Sequence, residues 1–389
     1  MNAVDPGKSP EPALRVAVAE TADEREACYR LRYRIYVDEM GKRPAAADHT
    51  RKSYSDSHDK KATLLYVSDG NEVVASVRNT WGATALPVEY VERYDLEGVL
   101  AAVPKQELMF SSYLNVAPEW RQTRAMGLAL EAAYRHIRTN GAWMTFVQGN
   151  PALVPMYERM GFRRFRPNIT DPDFGLRLPM ALVADDVQHL SRVHSPFARF
   201  AADYTNDARH AQWFAQTFSA YAQPSIARLM GTDEFLRYVA ERMYTDENLL
   251  FRGVDKDDID KIVQSGVILR ARGGEPIVRT GDPGTEMFTV LSGAAEVRKR
   301  AKSGQTVVLQ TLGKGHIFGE MALLSPHRRT ADVVALNDVE LLMLSKDFFE
   351  KLMTTAPVAA GRMLWNLAVT LCDRLHVTTD SLVAEGPAS

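Results

Sequence analysis

The sequence predicts an α+β multidomain chain: a mixed β-sheet flanked by helices, a helical connector, and a C-terminal β-roll of jelly-roll type with flanking helices. Three observations predict it. Strand-like and helix-like segments interleave through the first half. The stretch from Asp185 to Glu247 carries aromatics mostly three or four residues apart and no strand pattern. From Val267 to Leu344 short apolar runs alternate with glycine-bearing turns. At about 100–200 residues per domain, 389 residues exceed one ordinary core. The expected division is a disordered tail over 1–14, a first domain over 15–184, the connector over 185–247 and a second domain with its C-terminal helices over 248–389.

The elements follow in order. Residues 1–14 are polar and proline-rich, too poor in large apolar side chains to offset the entropy of ordering them. Thr21 and Glu24 have capping-box spacing, and Leu31, Ile35 and Tyr36 follow at helical spacing, so a helix runs to about Met40. Thr63–Val67 and Glu72–Arg78, joined by Ser-Asp-Gly-Asn, read as a β-hairpin. A strand over Leu108–Val116 leads into a helix over Gln122–Asn140, stopped by Gly141. Then come a strand over Trp143–Gln148, a helix over Pro151–Met160, and strands near Phe162–Arg166 and Leu176–Ala184. In the connector Phe197, Phe200, Tyr204, Trp213, Phe214, Phe218 and Tyr221 cover one side of their helices. Asp255 and Asp258 frame a helix start before the roll, and Ser345 opens a helical region that carries Pro357 and runs to about Leu382.

Composition narrows the function. The 49 acidic against 47 basic residues leave a net charge of −2, which offers no global attraction for nucleic acid or an anionic membrane. Cys28 and Cys372 stand far apart and outside any Cys/His cluster, so neither a disulfide framework nor a zinc site is expected. No apolar run approaches a membrane span, and the N-terminus lacks the apolar core of a signal peptide. A soluble, cytoplasmic protein is expected, with no metal and no covalently bound cofactor.

Two motifs carry the chemistry of the first half. Val116-Ala-Pro-Glu-Trp-Arg-Gln122-Thr123-Arg124-Ala125-Met126-Gly127 is a strand end, a turn of small residues and a helix start, where outward amides can hold a pyrophosphate that small side chains allow to approach. This segment resembles the pyrophosphate loop of the GNAT acyltransferase superfamily, Gln/Arg-x-x-Gly-x-Gly/Ala, with Ala125 standing at its middle glycine. Asn150-Pro-Ala-Leu-Val-Pro-Met-Tyr157-Glu-Arg-Met-Gly161-Phe162 resembles the Asn…Ala…Tyr…Gly-Phe segment of the same superfamily. The resemblance implies transfer of an acyl group from a thioester, usually of coenzyme A, to an amine. It implies that Gln122, Thr123, Arg124, Ala125, Met126, Gly127 and Asn150 bind the acyl-CoA and that Tyr157 protonates the departing thiolate. Glu107, at the start of its strand, is the candidate base, acting directly or through a water; an exposed strand-end carboxylate is the alternative reading.

A narrower pattern is Leu31-Arg32-Tyr-Arg-Ile-Tyr36, then Asp56-Ser-His-Asp59, then Arg78 at a strand end. It resembles the N-acyl amino acid synthase and acyl-homoserine-lactone synthase (autoinducer synthase) branch, which loads acyl chains, often from acyl carrier protein, onto amino acids or their relatives. Arg32 and Arg78 are then candidates for binding the acceptor, as a fork for a carboxylate or phosphate. The branch tends to place an arginine three residues after the acid matching Glu107; this chain has Phe110. Asp56 and Asp59 straddle His58, and acids so spaced in a polar loop read as solvated or paired rather than metal-bound.

The second half carries His316-Ile-Phe318-Gly319-Glu320-Met321-Ala322-Leu-Leu-Ser-Pro-His-Arg328-Arg329-Thr330-Ala. A glycine before a short helical turn admits a phosphate, a carboxylate accepts from a ribose hydroxyl, and an arginine neutralises a phosphodiester. The region resembles the phosphate-binding cassette of cyclic nucleotide-binding domains, Phe-Gly-Glu-x-Ala-Leu…Arg-Ala/Thr/Ser-Ala. Phe318, Gly319, Glu320, Met321, Ala322, Arg329 and Thr330 match it. Gly281-Asp-Pro-Gly-Thr-Glu-Met-Phe288-Thr-Val-Leu-Ser-Gly293 resembles that family's hairpin. The ligand implied is cAMP or cGMP, with cAMP favoured from similar bacterial-type domains.

Together the two halves imply a cyclic-nucleotide-regulated N-acyltransferase using a coenzyme A or carrier-protein thioester, with an amino acid among the acceptors. A nucleotide sensor or scaffold with a decayed transferase domain, and a cyclic-nucleotide-controlled protein lysine acetyltransferase, stay open. A DNA-binding regulator is disfavoured by the missing recognition helix.

Overall fold

The computed structural model describes residues 14–86, 88–171, 173–221, 238, 249–301, 303–325 and 328–385. Most of the expected tail, and residues 222–237 and 239–247 of the expected connector, lie outside the described residues. The chain divides into two compact units: Met1–Gln148, Met156–Arg166 and Pro179–Ala222 form the first, and Gly149–Pro155, Pro167–Leu178 and Gln223–Ser389 the second.

The first unit opens with β1 (Arg15–Val18) and α1 (Ala22–Tyr33). The capping box forms: Thr21 Oγ1 accepts from the Glu24 amide at 3.2 Å, and the Glu24 carboxylate accepts from the Thr21 amide at 2.9 Å. The helix reaches Glu39, but only by widening into a π-helical stretch over Arg34–Glu39, a local form associated with functional sites. A short hairpin of β2 (Ala47–Asp48) and β3 (Ser53–Tyr54) precedes β4 (Thr63–Asp69) and β5 (Glu72–Trp81). After α2 (Val88–Arg93) and α3 (Glu97–Ala102) come β6 (Leu108–Val116), α4 (Ala125–Thr139), β7 (Met144–Gly149), α5 (Val154–Met160), β8 (Arg163–Arg164), β9 (Ile169–Asp171) and β10 (Gly175–Val183), of which residues 149–155 and 167–178 are counted with the second unit.

The sheet runs β1-β4-β5-β6-β7-β10-β8, with β9 on β10, and β6 and β7 pair in parallel. Helix α4 starts three residues later than its sequence suggests, because Gln122–Arg124 form the turn before it. Its buried stripe of Ala125, Ala129 and Ala133 lets the backbone come close to Val67, Val74, Ala75 and Val116 on one stretch of sheet and to Leu65 and Val77 on the next. Beyond β10 are α6 (Val187–Arg192), α7 (Ala198–Ala201) and α8 (Ala208–Thr217), with Phe197, Phe200, Phe214 and Phe218 buried.

The second unit contains α9 (Lys256–Ser265), β11 (Val267–Ala271), β12 (Pro276–Val278), β13 (Glu286–Ser292), β14 (Ala295–Arg300), β15 (Thr306–Leu312) and β16 (Ile317–Phe318). It continues with α10 (Glu320–Leu324), β17 (Asp332–Ala335), β18 (Val339–Ser345), α11 (Lys346–Thr355) and α12 (Pro357–Glu385). The strands form two four-stranded antiparallel sheets, β11-β18-β13-β16 and β12-β17-β14-β15, the two faces of a roll. Ser345 caps α11 by accepting from the Phe348 amide at 3.2 Å. Helix α12 buries Met363 and Leu367 in a cluster with Leu250, Ile262, Leu342 and Phe349. This clamps the long helix to the roll.

Candidate functional site

The first unit builds a cleft by splitting its sheet. Pairing between β6 and β7 runs only from Leu108↔Met144 to Phe110↔Phe146, so β6 continues without that neighbour. Just beyond, Tyr113 has φ +51, and the register with β5 shifts between Ser76 and Arg78. A bulky residue held in the left-handed region marks a bulge that bends the strand. The cavity beside it, about 40 Å³, is lined by Ser111, Ser112, Leu114, Val147, Tyr157 and Leu182 among others. Tyr157 is packed edge-on to Phe162 at 5.5 Å.

Glu107 is not among the lining residues. Its carboxylate accepts from Trp143 Nε1 at 2.6 Å, and that indole stacks flat on His210 at 4.0 Å. At the turn before α4, the Ala125 amide donates to Thr123 Oγ1 at 3.2 Å and Ala125 itself is fully buried. Nothing lies within 4 Å of where a Cβ on Gly127 would stand, so a ligand has close access to that stretch of backbone. Asn150 falls in the second unit and accepts from the Ala152 amide at 3.0 Å.

Arg32 and Arg78 are brought together, and both are buried. Arg32 donates two parallel bonds to Asp59, at 2.7 and 3.0 Å. Arg78 pairs with Asp56 and Asp59, and donates to Ser112 Oγ at 2.9 Å and to the Tyr90 hydroxyl at 3.2 Å. Both guanidiniums lie over the Tyr113 ring, at 3.9 and 4.5 Å, and Tyr113 donates its hydroxyl to Asp56 at 3.0 Å. The carboxylates thus balance the guanidiniums, and the open fork expected from the sequence is occupied from within. Burial pushes the Asp59 carboxyl up, but the Arg32 fork and the Arg78 charge override it and hold it below the usual range. Burial drives the Tyr113 phenol well above its ordinary value. Ser112 was not singled out by sequence, yet it lines the cavity and touches this network.

The second unit holds a larger cavity, about 790 Å³, within the size range of small-molecule sites. Gly319, Glu320, Met321, Ala322, Arg329 and Thr330 line it, as expected, and so do Leu309 and Arg374. Phe318 stacks on Phe288 at 4.9 Å and fixes the strand that delivers Gly319. Gly319 has φ +79, and a Cβ there would stand 2.7 Å from Arg329 Nη1, so glycine is required on both counts. Arg329 is buried; it donates to the Gly319 carbonyl and to Glu286, each at 3.1 Å. Burial lowers its affinity for a proton despite Glu286 and Asp282 nearby. Glu320 is buried too. One carboxylate oxygen, Oε1, accepts from Arg374 Nη1 at 2.6 Å; the other, Oε2, has no partner among the described residues. Among the described residues, Thr330 Oγ1 donates to the Met321 sulfur at 3.9 Å. Like Ser112, Arg374 is a residue that sequence reasoning missed.

No group of acidic, histidine and cysteine side chains among the described residues is arranged to hold a metal ion. No helix among them is long and apolar enough to cross a membrane.

Comparisons with known proteins match each half separately. Residues 27–186 match the family model of the N-acyl amino acid synthase FeeM, and residues 268–356 that of the cyclic nucleotide-binding domain. The Cyclic AMP receptor protein of Thermus thermophilus is 34% identical over 127 residues, which are 33% of this chain and 57% of that protein. Glutaminase 2 of Bradyrhizobium diazoefficiens is 35% identical over 137 residues, 35% of this chain and 21% of that protein. The chain thus spans less than two thirds of either relative. The crystal structure of Thermus thermophilus Catabolite Activator Protein aligns with 32% identity over 35% of this chain and 62% of that one, at a TM-score of 0.33. One chain therefore joins a region that matches N-acyl amino acid synthases to a region that matches cyclic nucleotide-binding domains.

Proposed function

We propose that this protein is a cyclic-nucleotide-regulated N-acyltransferase that moves an acyl group from a coenzyme A or carrier-protein thioester to the amine of an amino acid or a related small molecule. The observation that carries the reading is Ser112, which lines the cavity with Tyr157 while bonded to the buried Arg78. One residue touches both the cavity that Tyr157 lines and the charged network proposed for the acceptor.

In the proposed reaction the acceptor nitrogen attacks the thioester carbonyl carbon, a C–N bond forms, and the C–S bond breaks as the tetrahedral intermediate collapses. Tyr157 supplies the proton to the departing thiolate. Glu107 receives the amine's proton through water, since it lies outside the cavity lining. The turn Gln122, Thr123, Arg124, Ala125, Met126, Gly127, together with Asn150, is assigned to the pyrophosphate end of the donor, supported by the open space beside Gly127.

The acceptor assignment changes in kind. With side-chain exposures of 0% and 2%, Arg78 and Arg32 offer little to solvent, whereas Asp56 is 19% exposed. The network therefore presents a carboxylate, whose complement is an ammonium group, and the two arginines act by holding Asp56 and Ser112 in place. The ammonium held at Asp56 becomes the nucleophile that the reaction needs once it has given a proton, through water, to Glu107.

In the second unit, Glu320 and Arg329 are assigned to the ribose and phosphate of a cyclic nucleotide, with Phe318, Gly319, Met321, Ala322 and Thr330 around them. The unpartnered Glu320 oxygen supports a hydroxyl donor. We take cAMP as the ligand because the Thermus relative is named for it. A bacterial, cytoplasmic setting fits the reading. Acyl-CoAs of varied chain length, assayed against a panel of amino acids with and without cAMP and read by product mass, test it. No product with any pair, with protein that melts cooperatively, leaves a nucleotide-binding scaffold instead.

A further inference from the structure

The cavity beside Tyr157 is small and nearly free of polar groups. Helix α4 lends Leu130, Ala133, Tyr134 and Ile137 to its lining, at the i, i+3, i+4 and i+7 positions of one helix face. Phe197, just before α7, adds a second ring beside Tyr134. Ser111, Ser112 and Tyr157 carry hydroxyls; the Tyr134 hydroxyl is committed to the Ala184 carbonyl, to which it donates at 2.6 Å. The remaining lining side chains among the described residues are hydrocarbon. Of the parts of an acyl thioester, the acyl chain matches such a lining, because it has carbon to bury and nothing to hydrogen-bond.

The wall formed by the two rings is fixed from behind. Tyr134 and Phe197 stack at 4.8 Å with an angle of 16° between their planes, and they are 1% and 3% exposed. The bond to Ala184 holds Tyr134. The Phe197 amide donates to Ser195 Oγ at 3.1 Å, and that hydroxyl donates at 2.7 Å to the carbonyl of Met160, the last residue of the helix that carries Tyr157. All of these residues belong to the first unit. A stacked pair anchored at both members yields little, since close-packed interiors transmit strain and compress poorly. The wall therefore sets the room. One water-sized group takes about 10–15 Å³ of such space, so the cavity's 40 Å³ accommodates about three or four groups of methylene size.

We propose that this cavity receives the acyl chain and that the Tyr134–Phe197 stack is its length gauge, restricting the donor to acyl groups of up to about four carbons. The proposal deepens the acyltransferase reading given above and rests on it. Phe197 is the half of the gauge to alter, because Tyr134 also bonds to the backbone at Ala184.

The test is competition among acetyl, butyryl, octanoyl and hexadecanoyl thioesters at equal concentration, with the full chain and a panel of amino acids as acceptors. Each acyl group is supplied both on coenzyme A and on acyl carrier protein, and the product ratio reads the ratio of kcat/KM. The acetyl or butyryl product is expected to exceed either longer one by about tenfold or more, the lower end of what one methylene is worth in a hydrophobic pocket. Phe197→Leu and Phe197→Ala open the wall, and are expected to raise the octanoyl share by about tenfold in protein that still melts cooperatively. If a longer product equals or exceeds both short ones in the parent chain, the gauge is overturned while the transferase reading stands, and no variant is needed to show it. An unmoved ratio in a folded Phe197 variant overturns the gauge as well. If the parent chain melts cooperatively and yields no product from any thioester on either carrier, the transferase reading fails and the gauge with it.

Discussion

Arg374 on α12 donates to Glu320 at 2.6 Å, and so joins the C-terminal helix to the carboxylate in the nucleotide cavity. Glu320 is 5% exposed at its side chain and Arg374 28%, so this pair lies between the surface and the core. Among the described residues only one carboxylate oxygen is engaged, which leaves the other for the ribose hydroxyl of the proposed ligand.

Separate substitutions distinguish those two roles. Glu320→Gln keeps the volume but replaces an ionised acceptor, and should weaken cAMP binding by about 10- to 100-fold, the worth of a hydrogen bond to a charged group. Arg374→Gln leaves the carboxylate partly buried without its cation, and should lower the stability of the second unit by about 1–3 kcal/mol, below the cost for a fully buried pair. Calorimetry and thermal melting read the two effects. An unchanged affinity in Glu320→Gln would exclude it from the ligand's surroundings.

Glu286 competes with any phosphate for Arg329, which donates to it at 3.1 Å. Glu286→Gln removes the competing charge and keeps an amide oxygen as acceptor. cAMP affinity should rise by about fivefold, roughly 1 kcal/mol, and the gain should shrink in high salt. Weaker binding in this variant would mean that Glu286 positions Arg329 for the ligand and does not oppose it.

Tyr157→Phe should reduce acyl transfer by about 10²- to 10⁴-fold, the range for a lost general acid, with cAMP affinity unchanged. Ser112→Ala should raise the acceptor KM more than it lowers kcat, because its place is between the cavity and Arg78. Steady-state kinetics with separately varied donor and acceptor decide both. A Tyr157→Phe enzyme at full rate would leave the thiolate's proton to come from solvent.

Legibility in the sequence tracks distance along the chain. Thr21 and Glu24 announce a helix because a capping box is written within four residues, and the glycine-bearing turn between β4 and β5 announces its hairpin in the same way. The cassette Gly319–Thr330 is equally local. Arg32 and Arg78 could be seen as a pair of cations, but their neutralisation by Asp59 and Asp56 is long-range, and the bond from Arg32 to Asp59 spans 27 positions. The bulge at Tyr113 has no glycine to signal it, since the surrounding arginines and carboxylates fix an aromatic residue in a conformation that its own preferences oppose. Arg374 sits amid ordinary helical sequence, and its function follows only from how α12 packs against the roll. Glu107 is a candidate base by its place at a strand end, and the bond its carboxylate accepts from Trp143, 36 positions on, is again long-range.

Asp59 gives the first unit an acid-sensitive core. Its folded carboxyl titrates below the unfolded range near 3.9, so the stabilisation is complete above that pH and is lost as pH falls through the depressed value. Asp59→Asn leaves Arg32 charged and unpaired in the interior, and should cost about 3–5 kcal/mol. Combining it with Arg32→Gln should recover part of that loss, because the two residues act as a unit. Denaturant melts of the three variants measure it, and strictly additive losses would show that the pair is not coupled.

His189 supplies a separate transition at milder acidity. Its ring lies buried between elements of the first unit, with Nε2–H donating to the Gly161 carbonyl at 3.2 Å and Nδ1 accepting from Arg192 at 3.0 Å, a pattern that assigns the neutral tautomer. Protonation would place an N–H against the Arg192 guanidinium. Burial first, then the nearby Arg163 charge, lowers the ring to about 4 from an unfolded value near 6.5. The folded state therefore binds this proton less well than the unfolded chain. Its contribution is fully present above about pH 6.5 and drains away as pH falls towards 4. Below that it has no further effect. His189→Gln keeps a donor for Gly161 and removes the titration, so the loss of stability between those two pH values should flatten in the variant. An NMR titration placing the His189 ring near its unfolded pKa, or a variant with the same slope as the parent, would remove this residue from the acid response.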